Sequence, residues 1–130
     1  MLFTHVMIGT NDVEKAKAFY DKVLGALGIS PGHVDHHRDG RPRVRYPTSS
    51  GVFAVTLPIE GKAIPANGGT IGFAASSPEQ VRAWHDAGVA AGGTAIEDPP
   101  GVREAAVGRL YVAYLRDLDG NKICALHFMS

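Results

Sequence analysis

Two stretches of this chain, sixty-five positions apart, obey the same grammar. In the first, HVMIGT is rich in β-formers and predicts a strand over residues 3–9. Asn11 and Asp12 then offer N-caps, and Val13, Ala16, Phe19, Tyr20, Val23, Leu24 and Leu27 recur at helical spacing. Gly28 closes that helix, because glycine accepts the left-handed backbone common at C-termini. In the second stretch, TIGFAA predicts a strand over 70–75, and Ser76 or Ser77 caps a helix with Pro78 in its first turn. That helix carries Val81, Ala83, Trp84, Ala87 and Val89. The shift sets His5 on Thr70, Ile8 on Phe73, Phe19 on Trp84 and Gly28 on Gly93, with no gap. Phe19 and Trp84, equivalent on the two helices, read as core anchors.

The segments after the two helices also match. HVDHHRDGRPRVRYP places β-like runs around Asp39-Gly40, a strong hairpin signal, and VFAVTL supplies a third strand. After the second helix come TAIED, a long loop PPGVREAAVGR, then LYVAYLR and KICALHF around the turn DLDGN. Each half therefore reads βαβββ, the first over about residues 1–65 and the second over about 66–130, and together they fill the chain as a single α+β domain. A loop as long as 99–109 suggests a lid or interface segment, with Arg103, Glu104 and Arg109 able to reach a pocket mouth.

Composition limits the partners. Thirteen basic and thirteen acidic residues cancel to a formal charge of +0, which removes whole-surface attraction to nucleic acid or acidic membranes. No apolar run approaches the ~20 residues needed to cross a bilayer, and the N-terminus lacks a signal-peptide pattern, so a cytoplasmic location is expected. The single cysteine, Cys124, excludes an internal disulfide and any all-cysteine zinc site.

The segments THVMIGTNDVEKAKAFYDKVLGALG and YLRDLDGNKICAL, in the setting of the doubled module, resemble the vicinal oxygen chelate superfamily, which contains glyoxalase I, bleomycin-resistance proteins and extradiol dioxygenases. The second segment is similar to the family ending D-P-D-G-N-x-I-E-L. A calcium loop shares the first part of that motif, but DLDGNKICALHF lacks the late glutamate such a loop needs. The resemblance implies an open, eight-stranded, barrel-like sheet with helices on its convex side and a pocket within. It also implies a homodimer, because the pockets of such resistance proteins are often completed by a second subunit. In metal-dependent members the ligands come from the first and fourth strand of each module, and a divalent ion such as zinc or nickel polarises paired substrate oxygens. Of those positions His5 alone retains a family ligand. Thr70 stands where histidine or glutamine is expected, Cys124 where the motif carries glutamate, and the remaining position falls near Val55 when Gly51 is aligned with Gly120.

Period-two alternation then gives a concave face of His5, Met7, Arg43, Arg45, Phe53, Val55, Thr70, Tyr114 and Cys124, with Val44, Tyr46, Ile123 and Ala125 beneath the helices. Mostly apolar with a few convergent polar groups, this set suits a small-molecule site, and the arginine forks suit an anion. His5 is the candidate base. Cys124 reads first as a small buried hydrophobe with an inert thiol. His33, Asp35 and His37 share a strand face, a spacing compatible with metal uptake, although an exposed hairpin arm explains the same polar run. Two functions are open: a metal-free small-molecule binder with no cofactor, or an enzyme resembling glyoxalase I or an extradiol dioxygenase.

Overall fold

The computed structural model describes residues 2–129. Its elements run β1 (His5–Gly9), α1 (Val13–Ala26), β2 (His33–His36), β3 (Pro42–Thr48), β4 (Gly51–Thr56), β5 (Ile71–Ala74), α2 (Pro78–Ala90), β6 (Thr94–Ala105), β7 (Gly108–Arg116) and β8 (Lys122–Met129). Both predicted helix starts hold. Asp12 accepts the Lys15 N–H at 3.0 Å, and Ser77 accepts that of Gln80 at 3.1 Å. Each helix ends on a glycine in left-handed backbone, Gly28 at φ 85° and Gly92 at φ 99°. The second terminator is thus Gly92, one position before the gapless alignment puts it, because α2 is 13 residues long against 14 for α1.

The expected α+β architecture of two βαβββ modules is present, with its strands in two four-stranded sheets of order β1-β4-β3-β2 and β5-β8-β7-β6. The first and fourth strands of each module pair in parallel and the rest antiparallel. Edge strands β1 and β5 are not hydrogen-bonded to each other. A cleft of about 460 Å³ opens there, lined by His5, Leu27, Tyr46 and Gly72 and floored by Phe53 and Phe73, whose rings meet edge-on at 5.1 Å.

The modules are joined through their helices. Phe19, Tyr20, Val23 and Leu24 of α1 form one buried cluster with Trp84 of α2, Tyr46 and Phe53 of the first sheet, and Leu115 and Ile123 of the second. Gly88 allows the close approach of α2 to β7, since a Cβ there would stand 2.2 Å from Leu115 Cδ1. The DLDGN turn ties the seam. Asp117, buried, accepts the Tyr20 hydroxyl at 2.5 Å and the Asn121 amide groups at 2.9 and 3.0 Å, while Asp119 accepts the Asn11 N–H at 2.9 Å. The motif that resembles the family ending is here an inter-module clamp.

The segment expected to be a long loop is mostly strand. β6 runs through Pro99 and Pro100 to Ala105, and a bulge between Ile96 and Gly101 absorbs the prolines. β6 is an edge strand, where proline's missing donor faces no partner. Glu104 and Arg109 pair across the hairpin at 3.3 Å, and Arg103 donates to the Pro99 and Val102 carbonyls, so the segment is a structured arm with its charges engaged on itself.

Candidate functional site

Cross-strand register decides which face each side chain occupies. On the first sheet Arg45 pairs with Ala54 and Arg43 with Thr56, while Tyr46 pairs with Phe53 and Val44 with Val55. Val44 and Tyr46 are fully buried under the helices, so Phe53 and Val55 are core residues too, at 8% and 0% exposure. Their expected place on the open face is a correction. Ala54 pairs with Met7 just as Cys124 pairs with Gly72, so Ala54, not Val55, is the first-module counterpart of Cys124. Aligning Gly51 with Gly120 overlooked Asn121, an extra residue before β8, and a one-residue slip reverses every face.

The remaining residues stay on the open faces but fall into three groups. His5 lies at the cleft and hydrogen-bonds Thr4 Oγ1 at 2.9 Å. Met7 is 36% exposed on the same strand, and Thr70, exposed, precedes β5. Tyr114 and Cys124 are cross-strand neighbours on the second sheet. Arg43 and Arg45 sit on the first sheet with a partner not included in the expected pocket, Asp35. Its Oδ1 accepts Arg43 Nε at 2.7 Å and its Oδ2 accepts Arg45 Nε at 2.9 Å. The Arg43 hydrogen bond, foremost, holds the Asp35 carboxyl below its usual range. Two guanidiniums on one carboxylate leave a surplus positive charge and unused N–H donors, with Arg45 about two-fifths exposed.

His37 completes this cluster. Thr56 Oγ1 donates its single proton to the Leu57 carbonyl at 2.9 Å, so the contact between Thr56 Oγ1 and His37 Nε2 at 2.8 Å has the imidazole as donor. Nδ1 then carries the lone pair and faces Arg43 Nη1 at 3.5 Å. Desolvation, with Arg41 and Arg43 adding to it, holds the imidazole pKa below the usual value, consistent with that neutral tautomer. An unfolded chain takes up this proton first as pH falls. The associated stability is present above about pH 6.5 and is lost as pH falls toward the folded-state value. His85, lowered by burial, has the same sign. Melting temperature should therefore decline on acidification below about pH 6.5, and His37→Gln should reduce that slope, with the remainder tracking His85. An unchanged slope in His37→Gln would show the imidazole to be freely protonated. The face shared by His33, Asp35 and His37 is thus occupied by arginine pairing, and among the described residues no group of three or more His, Cys, Asp or Glu is placed to hold a metal ion.

Comparison with known proteins fits this architecture. Residues 2–125 match the model of the glyoxalase/bleomycin resistance protein/dioxygenase superfamily. The chain belongs to that superfamily. Among solved structures, it is similar to a glyoxalase/bleomycin resistance protein from Albidiferax ferrireducens, at 55% identity and a TM-score of 0.90, covering 98% of this chain and 99% of that one. A superfamily enzyme from Burkholderia phytofirmans matches at 20% identity and TM-score 0.67, covering 97% and 98%. A lactoylglutathione lyase from Agrobacterium tumefaciens matches at 18% identity and TM-score 0.63, covering 96% and 92%. The latter two likenesses concern the fold alone. No curated protein matches the chain.

Whether this superfamily member's residues suit a glyoxalase-type metal is a question of donor chemistry. The corrected positions are His5, Ala54, Thr70 and Cys124. Ala54 has no donor atom, and it is buried at 1% exposure. Cys124 is 5% exposed, its thiol raised by burial to about 11. One imidazole, one hydroxyl and one buried thiol, with no carboxylate among them, are not the hard, charge-neutralising donor set of a glyoxalase-type dication. A glyoxalase-type metal does not fit these residues.

Proposed function

We propose that this superfamily member is a metal-independent binder of a small carboxylate ligand, held on the open face of the first sheet by Arg43 and Arg45. The observation that carries this reading is the shared Asp35 pairing, which presents two planar forks side by side with one positive charge in excess. A carboxylate meets such a fork with two parallel hydrogen bonds, which a neutral isostere cannot match. Thr56 and the neutral His37 add a polar floor beneath the arginines. His5, retained at the family's first ligand position, is assigned a polar role at the cleft rather than a metal.

The reading includes a homodimer. The two open faces do not cover each other within one chain, and Met7 on one and Phe128 on the other, 36% and 66% exposed, are apolar surface a second copy would bury. Sedimentation at micromolar concentration is expected to give twice the chain mass; a monomer there removes the dimer from the proposal. The metal-dependent alternative, a lyase, isomerase or dioxygenase, requires metal donors this face lacks.

Benzoate and benzamide separate charge recognition from simple apolar binding. Benzoate should raise the melting temperature saturably and benzamide should not, with Arg45→Ala weakening the benzoate response about tenfold, the scale of hydrogen bonds to a charged group. Equal responses to both compounds, or an Arg45→Ala protein that responds like the wild type, would refute the carboxylate site.

A further inference from the structure

A cationic cavity lies away from the arginine pair, between the segment joining the two modules and the start of β8. It measures about 560 Å³ and is lined by residues 65–69, Arg116, Gly120 and Lys122. Its wall is held in place. Asn11 Oδ1 accepts the Ala63 N–H at 2.8 Å, Asn11 Nδ2 donates to the Ala63 carbonyl at 3.2 Å, and Pro65 packs against Gly120, where an added Cβ would stand 3.4 Å from Pro65 Cγ. The wall then turns tightly. Gly69 N–H donates to the Ala66 carbonyl at 3.2 Å, with Gly68 at φ 91° in the position of a turn that glycine fills without strain. Among the described residues the Asn67 and Gly68 N–H groups have no protein acceptor, and both residues are exposed.

Arg116 and Lys122 form a cross-strand pair on one face of the second sheet. Like charges directly opposite repel, so this arrangement calls for an anion. Glu97 supplies one, through an ion pair with Lys122, whose ammonium also lies 4.9 Å from the Tyr114 ring centroid. Among the described residues, Arg116 has only the Gly120 carbonyl, at 2.9 Å. Two cations and one carboxylate leave an excess positive charge. Glu97 is also, among the described residues, the one non-glycine in the left-handed region, at φ 59°, and it sits at the bulge of β6.

We propose that this cavity binds a phosphate group, with Arg116, Lys122 and the turn amides as donors and Glu97 as a resident counter-ion that the ligand displaces. The donors reach the cavity from β7, β8 and the joining segment. A tetrahedral phosphate can present oxygens in three such directions, whereas a planar carboxylate engages one fork. Displacement frees the Glu97 carboxylate at the bulge of β6.

Titration calorimetry with inorganic phosphate and, separately, phenyl phosphate tests this on the full chain. Saturation by inorganic phosphate assigns recognition to the phosphate group itself, and saturation by phenyl phosphate alone assigns it to a monoester; either supports the site if the variants agree. Arg116→Gln and Lys122→Gln should each weaken binding about tenfold, as loss of a charged hydrogen bond does. Glu97→Gln should strengthen it about threefold, the scale of an exposed ion pair. Arg45→Gln, on the other sheet, should leave phosphate binding unchanged, so this site and the carboxylate site fail independently. The gain in Glu97→Gln cannot come from misfolding. Absence of saturation by either compound, affinity that follows Arg45 rather than Lys122, or weaker binding in Glu97→Gln would each overturn the proposal.

Discussion

Asp117→Ala is expected to destabilise the protein by about 3 kcal/mol, because it leaves several buried donors without an acceptor at once. Asp117 is 6% exposed and accepts the hydroxyl of Tyr20, itself 1% exposed, together with both amide groups of Asn121. Asn121 Nδ2 also reaches the Gly9 carbonyl at 3.1 Å, so the same network connects the β7–β8 turn to the end of β1. Removing the carboxylate thus loosens the seam between modules as well as one turn. Tyr20→Phe removes one donor and keeps the ring against Phe19 and Phe53, so its cost should be smaller, about 1 kcal/mol. Urea denaturation of the two variants gives both numbers. A loss under about 1 kcal/mol for Asp117→Ala would mean the carboxylate is hydrated and the seam rests on apolar packing alone.

Cys124→Glu should cost about 2–3 kcal/mol and should not create a metal centre. It restores the residue that the family motif carries, in an environment that has adapted to its absence. Cys124 packs against Gly72, where an added Cβ would stand 3.3 Å from its Sγ, and the neighbouring cation Lys122 is already engaged by Glu97. A carboxylate there loses hydration without a dedicated partner. Its counterpart Ala54 contributes nothing to a coordination sphere. Thermal melting with and without zinc checks both parts. A variant as stable as the wild type, or one that zinc raises above it, would show that donors assemble in a way the present geometry does not provide.

Local patterns of the chain specify a good deal. Period 3.6 in residues 13–27 and period two in β3 arise from side-chain direction relative to the backbone, so helix faces and the outward set of Arg43 and Arg45 were readable from residue type and spacing. The helix starts were readable to within one residue, Asn11 or Asp12 and Ser76 or Ser77, and the hydrogen bonds to Lys15 and Gln80 decide for Asp12 and Ser77. Asp35 was within reach as well. Its alternation with His33 and His37 put it on one face, but the Asp39-Gly40 turn had to be closed before that face could be matched to the arginines.

The failures have one cause. Phe53 and Val55 were set on the wrong face because Asn121 adds one residue ahead of β8, and a slip that small is invisible to a pattern of period two until hydrogen-bonded partners fix the register. The strand through Pro99 and Pro100 was hidden in the same way, since an edge position and a bulge, both properties of the assembled sheet, decide whether proline is tolerated. The chain's order of residues alone therefore settled the two βαβββ modules and the starts of their helices, which depend on neighbours close in sequence. Tertiary packing alone decided that the sheets part at β1 and β5, that Asp35 gathers Arg43 and Arg45, and that Glu97 meets Lys122, because each depends on strand pairing between segments whose register no local pattern encodes.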